Sequence, residues 1–210
     1  MSNNNTLDLV FLIDTSGSMY SNKMAAVNAA LVECVEVIRA NIRQSGSAVN
    51  VKYMTFNSDA SDLQHIPDIS NTGFPKHKVE SKDGFYKLTR FEALYDGIIS
   101  FMDGMGNANA GLILITDGKA IDTDKYREKL ELVKSNDFFR KAKRVAACVE
   151  KDASFITDVD LLEFVGYKAD KIIDLQRLPT EIDGICKQLL NANYGPDISS
   201  NTYDDIFGDY

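Results

Sequence analysis

Two apolar runs in this chain end in the same way. Leu7 to Ile13 (LDLVFLI), apolar apart from Asp8, stops at Asp14 and passes into Thr15-Ser16-Gly17-Ser18-Met19, and Gly111 to Thr116 (GLILIT) stops at Asp117-Gly118. Runs this short and this apolar are expected of strands covered on both faces, which is the condition of a parallel sheet. A parallel return needs a crossover that is usually helical and right-handed, so the two strands already demand helices between them. An acid at each exit then sits at the carboxyl end of the sheet, where open α/β folds gather their ligands.

The rest of the chain supplies the helices. From Met24 to Arg43, Val27, Ala30, Leu31, Cys34, Val35 and Ile38 form one helical stripe, with Glu33, Glu36 and Arg39 outside it. Gly46 closes this helix, and Val49 to Phe56 reads as a second strand. A turn over 57–61 leads to a short segment at 63–66, an edge strand because Pro67 follows it. Residues 67–88 read as a long surface loop. Phe91 to Met105 is helical and ends at Gly104 and Gly106. Beyond the second apolar strand, helices are expected at 123–136 and 137–143, a strand at 144–149, a helix at 159–165, a strand at 171–175 and a helix at 180–191. The alternation predicts a doubly wound α/β domain with a mostly parallel sheet, one short antiparallel edge strand and helices on both faces. Residues 1–6 are expected to be a flexible N-terminus and 7–191 the domain. Segment 192–210, with four aspartates and no basic residue, is expected to be a disordered tail or a docking motif.

Charge and composition exclude several classes. The net charge of -8 opposes a phosphate backbone, and no stripe of Lys and Arg interleaves with aromatics, so no nucleic-acid partner is expected. No apolar run is long enough to cross a bilayer. The polar start MSNNNT lacks the marks of a secretory signal, which predicts a cytoplasmic protein. Cys34, Cys148 and Cys186 are odd in number and sit in apolar surroundings, as expected of reduced, buried thiols. His65 and His77 have no third ligand at short spacing and read as ordinary surface or loop residues. Gly104-x-Gly106 follows a helix and precedes a strand, the reverse of a dinucleotide fingerprint. Asp122-Thr123-Asp124 reads as a helix cap, with a second cation site as the alternative.

If the two strands are neighbours, Asp14 and Asp117 converge, and like charges that close are costly without a proton or a cation between them. Ser16 and Ser18 can turn both hydroxyls toward one point, and Gly17 permits the tight backbone this requires. Carboxylate, hydroxyl and water ligation suits Mg²⁺, and the lack of histidine and cysteine argues against zinc. On its own, DTSGS also reads as a helix cap and turn.

Taken with the second strand end, the sequence resembles the von Willebrand factor A domains. Their hallmark is a metal-ion-dependent adhesion site, an Asp-x-Ser-x-Ser loop completed by a threonine and an aspartate from two later loops. Asp14-Thr15-Ser16-Gly17-Ser18 matches the loop, ILITDG places the aspartate at Asp117, and LTRFEALYDGI places the threonine at Thr89. Lys87 and Leu88 stand where the family commonly has glycines. The resemblance implies that Asp14, Ser16 and Ser18 bind the metal directly and that Thr89 and Asp117 bind directly or through water. It also implies a coordination position left for a partner's Asp or Glu. Mg²⁺ is the expected ion, with Mn²⁺ and Ca²⁺ as alternatives, and Met19, Tyr20 and Gly118 are expected to touch the partner. Within the family the chain looks most like bacterial stand-alone domains of the TerY type. Those are associated with tellurium resistance and stress operons, which implies a kinase, a phosphatase or an AAA+ ATPase as partner. The function so implied is non-catalytic protein binding. A phosphatase of the haloacid-dehalogenase type also begins with an acid at a strand end, but follows it with a second Asp two positions on, where this chain has Ser16. A metal-free scaffold is the third reading.

Overall fold

Strand β1 (Thr6–Asp14) lies in the interior of the sheet, and its pleat shows why it is apolar on both faces. Leu7, Leu9, Phe11 and Ile13 enter one core cluster while Val10 and Leu12 enter the other. The computed structural model describes residues 6–20, 22–82, 85–105, 109–118, 126–150 and 158–191. Among these, β2 (Ala48–Phe56), β3 (Gln64–Ile66), β6 (Ala110–Thr116), β7 (Lys143–Cys148) and β8 (Ile172–Asp174) join β1 in a six-stranded sheet of order β3-β2-β1-β6-β7-β8. All pairings are parallel except β2 with β3, the short antiparallel edge strand. The expected architecture is the one observed.

Helices α1 (Asn22–Ser45) and α6 (Leu178–Asn191) cover the face that holds Leu9 and Ile113. Helices α2 (Phe91–Met102), α3 (Arg127–Ser135), α4 (Asp137–Lys141) and α5 (Val159–Phe164) cover the face that holds Leu12 and Leu114. The chain leaves β1 through α1 toward β2 and returns through α2 to β6, on the other side of β1. The two crossovers diverge between β1 and β6, so a crevice opens at the carboxyl ends of these strands. Asp14 and Asp117 stand on its two sides.

Several local differences have simple causes. Segment 67–88 is not wholly irregular, because β4 (Ser81–Lys82) and β5 (Phe85–Tyr86) form a two-stranded hairpin within it. Helix α2 ends at Met102 rather than 105, where the Gly104 amide turns back to the Phe101 carbonyl. Helix α6 begins two residues early at Leu178, with Pro179 in its first turn, where a missing amide costs no hydrogen bond. Of the N-terminus expected at 1–6, Thr6 already belongs to β1; residues 1–5, Gly106, the group Asp122, Thr123 and Asp124, and segment 192–210 lie outside the described residues.

The three cysteines are free and buried, and burial pushes the Cys34 and Cys186 thiols up to about 12. His65 is exposed on β3. His77 is a buried loop residue, edge-on to Tyr53 with ring centroids 5.2 Å apart, and its buried Nε2 has no hydrogen-bond partner among the described residues. Burial lowers its imidazole below the ordinary value of 6.5, so the folded chain resists a proton that the unfolded chain accepts. Stability is therefore expected to fall as pH drops below 6.5. In His77→Phe that part of the pH dependence is expected to vanish, measured as denaturation midpoint against pH.

Gly184 lies inside α6, yet a Cβ built there meets nothing within 4 Å. Neither sterics nor backbone angle calls for glycine. Gly184→Ala is expected to stabilise the fold by about 0.5–1 kcal/mol, read as a higher urea midpoint at unchanged slope.

Candidate metal centre

Asp14 is the last residue of β1 and is fully buried. Its Oδ1 accepts from the Ser16 amide at 2.8 Å, and its Oδ2 accepts from the Thr116 hydroxyl at 2.7 Å and the Thr89 hydroxyl at 3.4 Å. Burial raises its carboxyl above the ordinary value; the hydrogen bonds from Ser16 and Thr116 oppose the rise, and Asp117 adds to it. The hydroxyls form a continuous line between the two acids. Thr89 Oγ1 lies 2.7 Å from Ser16 Oγ, Ser16 Oγ lies 3.0 Å from Ser18 Oγ, and Ser18 donates to Asp117 Oδ1 at 2.7 Å. All five residues read from the sequence as metal ligands thus meet in one place.

Hydrogen bonds from three loops hold them there. A single 3-10 turn, Gly17–Met19, curls the first loop so that Ser16 and Ser18 share a side. The Thr15 amide donates to the Phe56 carbonyl at 2.8 Å, tying this loop to the end of β2. Asn57 Nδ2 reaches both Thr15 Oγ1 at 3.0 Å and Glu80 Oε2 at 3.1 Å, bringing in the long loop. The Gly17 amide donates to the Lys87 carbonyl at 2.7 Å, fixing the approach to Thr89. Lys87, where a glycine is common, takes part through its main chain, while its ammonium turns to Asp59 and Glu80. The departure leaves Thr89 in place.

Of the residues expected to touch a partner, Met19 is corrected. Its side chain is fully buried in the core cluster beside Met24 and Val27 of α1, so it anchors the turn and presents nothing to a partner. Apolar Met followed the serines directly, but a 3-10 turn points its third residue inward. Tyr20 is 61% exposed. Gly118 is partly exposed, and a Cβ built there lies 3.9 Å from Ser18 Oγ and 4.0 Å from Thr89 Oγ1, so any side chain would lean over the hydroxyls.

Two residues of the site were not read from the sequence. Thr116 is the only hydroxyl in GLILIT, and it shares the pleat face of Asp14 across the β1–β6 pair. Lys23, one residue inside α1, places Nζ 2.7 Å from Asp117 Oδ2 and 3.3 Å from Glu150. The Asp117 bond raises the Lys23 ammonium above its ordinary value. The position of Lys23, a turn after the serine loop, is its only signal in the sequence.

The donor set fits a hard divalent cation: two carboxylates and three hydroxyls, with a buried carboxylate, Asp14, that has hydrogen bonds but no ion pair among the described residues. No group of three or more His, Cys, Asp or Glu that could hold a metal ion occurs among the described residues, so a cation here depends on the hydroxyls as well as the two carboxylates. A doubly wound fold with this oxygen cradle at its switch point defines the class of adhesion-site α/β domains. Residues 8–151 match the von Willebrand factor type A domain, and the chain belongs to that family.

Solved structures share the fold at low identity. Pilus adhesin SpaC from Lactobacillus rhamnosus GG superposes with a TM-score of 0.61 at 12% identity, covering 91% of this chain and 31% of that one. A von Willebrand factor type A protein from Catenulispora acidiphila gives 0.56 at 13% identity, covering 89% and 43%. Proximal thread matrix protein 1 from the mussel byssus, with a zinc-occupied adhesion-site motif, gives 0.53 at 13% identity, covering 88% and 46%. The chain therefore spans less than half the length of each. No curated protein sequence matches it.

Proposed function

We propose that the chain is a non-catalytic, metal-dependent protein-binding module. Asp14, Ser16 and Ser18 hold a divalent cation directly, Thr89 and Asp117 complete its shell directly or through water, and an Asp or Glu of a partner protein supplies the remaining ligand. The observation that carries this reading is the unbroken line of oxygens from Asp14 through Thr89, Ser16 and Ser18 to Asp117. When bound, the cation supplies positive charge at the centre of an interface, where loss of a desolvated partner group is most costly. The chain's own residues orient it: Thr116 holds the Asp14 carboxylate, Lys23 holds the far oxygen of Asp117, and exposed Tyr20 borders the approach. Mg²⁺ is the proposed ion because the donors are all oxygen, with Mn²⁺ or Ca²⁺ as alternatives; the mussel protein's site carries zinc. Ser16 in place of a second Asp supports binding over phosphoryl transfer.

The finer setting is also proposed. A TerY-type role in a bacterial stress or tellurium-resistance complex, beside a kinase, phosphatase or AAA+ ATPase, rests on the sequence resemblance. A cytoplasmic location is proposed on the free, buried Cys34, Cys148 and Cys186, as in a reducing compartment; no described helix is long and apolar enough to cross a membrane.

Calorimetry with Mg²⁺ and with Mn²⁺ tests the site: heat of binding is expected for the wild type and none for Asp117→Ala. Capture from lysate is expected to retain a partner with Mg²⁺ and lose it with chelator or with Asp117→Ala. Equal heats in both proteins would sink the site, and Mg²⁺-dependent phosphoester turnover abolished by Asp14→Asn would replace binding with catalysis.

A further inference from the structure

We propose that a basic groove at the end of the sheet opposite the metal centre holds an acidic segment, and that its occupant is this chain's own residues 192–210. The groove exists because β8 is short. It pairs only with Ala146–Cys148 of β7, so Lys143–Val145 runs on without a strand neighbour on that side. Helix α6 walls one side and the turn after α5 the other, enclosing about 670 Å³.

The lining is cationic in a chain whose net charge is -8. Six Lys and Arg side chains face two carboxylates, Asp170 and Glu181. Glu181 is already paired with Lys171, and Arg140 and Lys141 share Asp137 outside the groove. Lys143, Arg144 and Lys168 form no ion pair among the described residues. The Arg144 guanidinium instead lies over the Phe139 ring, 4.4 Å from its centroid. Three uncompensated cations around an open strand edge describe a seat for an extended anionic chain. Val145, Val165 and Ile185, all buried, form the floor between them. Gly184 faces the same space, where its missing side chain leaves the groove open.

Charge and position both select segment 192–210. It carries Asp197, Asp204, Asp205 and Asp209 without a single Lys or Arg, and Tyr203, Ile206 and Phe207 adjoin the central pair of acids. Helix α6 follows β8, so it runs back from the carboxyl ends of the strands to the end where the groove lies. Its groove-facing residues run from Glu181 to Gln188, about 10 Å of helix, and the segment begins only about 5 Å beyond. From Asn191 an extended chain reaches about 20 Å by Asp197, enough to turn back along the whole groove. A ligand tethered this close has an effective concentration in the millimolar range, which favours it over a free acidic peptide.

The test is hydrogen exchange of the full chain at low salt, followed by mass spectrometry, with Lys143→Glu/Lys168→Glu and the charge swap that adds Asp204→Lys/Asp205→Lys. Both lysines are exposed, so circular dichroism and thermal midpoint are expected to stay unchanged. Wild-type amides in 192–210 and at Lys143–Val145 are expected to exchange about 10-fold more slowly than in the double variant, and the swap is expected to restore the protection. Protection is also expected to disappear in 1 M NaCl, where the screening length is about 3 Å. Free-peptide exchange rates across 192–210 in the wild type, or protection indifferent to the double variant, would overturn the proposal. So would protection that grows with protein concentration together with carbodiimide cross-links between segment and groove only at dimer mass, which would assign the groove to a second copy.

Discussion

Asp14→Asn is expected to make the metal-free protein more stable and to remove its response to divalent cations, two effects of opposite sign from one atom's change. Asp14 is fully buried, and burial holds its carboxyl above the ordinary value of 3.8. The metal-free fold therefore bears the cost of an ionised group taken out of water, which the neutral amide avoids at equal size. The gain is expected to be about 1–2 kcal/mol at neutral pH in chelator. The wild type should show the same cost in its pH dependence. Because the folded carboxyl binds its proton more tightly than the unfolded one, metal-free stability rises as pH falls through the raised folded value and levels below 3.8. With Mg²⁺ at about 100 times its Kd, the wild type should gain about 2.7 kcal/mol and the Asn variant nothing. Asp14→Ala separates charge from shape: it leaves the Ser16 amide and Thr116 hydroxyl without their acceptor and should lower metal-free stability by about 1–3 kcal/mol. Thermal midpoints of the three proteins in chelator and in Mg²⁺ check this. An Asn variant that loses stability in chelator and still responds to Mg²⁺ would exclude Asp14 as a ligand.

The fold was legible because its central strands are apolar on both faces. LDLVFLI and GLILIT admit no amphipathic alternative, and once they are parallel neighbours the helices between them follow from the crossover rule. Pro67 marked β3 as an edge. The β4–β5 hairpin was hidden because each strand is only two residues long, too short for an alternating pattern to show. The boundaries of α2 and α6 moved for reasons of capping, which the apolar stripe does not encode.

The site was legible to the extent that its residues carry chemistry in their own names. Asp14, Ser16, Ser18 and Asp117 stand in strand-end loops with no structural reason to be apolar, and the structure joins them with Thr89 as read. Met19 was misread because one position in a 3-10 turn separates facing out from facing in, and the sequence does not fix that phase. Lys23 was missed because a lysine in the first turn of a helix has no local signature; its role exists only where α1 passes Asp117. Thr116 was missed because it ends an apolar strand, where threonine passes for a β-branched filler. Its function depends on register: Ile13 pairs with Ile115, so the next residue along each strand, Asp14 and Thr116, falls on the same pleat face across the crevice.

That register makes Thr116→Val the sharper probe of how the site is supported. Valine keeps the branched shape at a fully buried position and removes only the hydroxyl that donates to Asp14 Oδ2 at 2.7 Å. Loss of a hydrogen bond to a buried carboxylate is expected to cost about 1.5–3 kcal/mol of stability at neutral pH. Because Thr116 orients a ligand without itself being one, metal affinity is expected to fall about 10- to 100-fold, short of the complete loss expected of Asp14→Asn. Thr116→Ser retains the hydroxyl and loses one methyl, so it should recover most of the affinity while keeping a packing defect of about 1 kcal/mol. Mn²⁺ calorimetry and urea denaturation on the two variants separate orientation from packing. If valine binds Mn²⁺ as tightly as the wild type and serine is the weaker of the two, the strand-end threonine acts by filling space, and its bond to Asp14 does not set the affinity of the site.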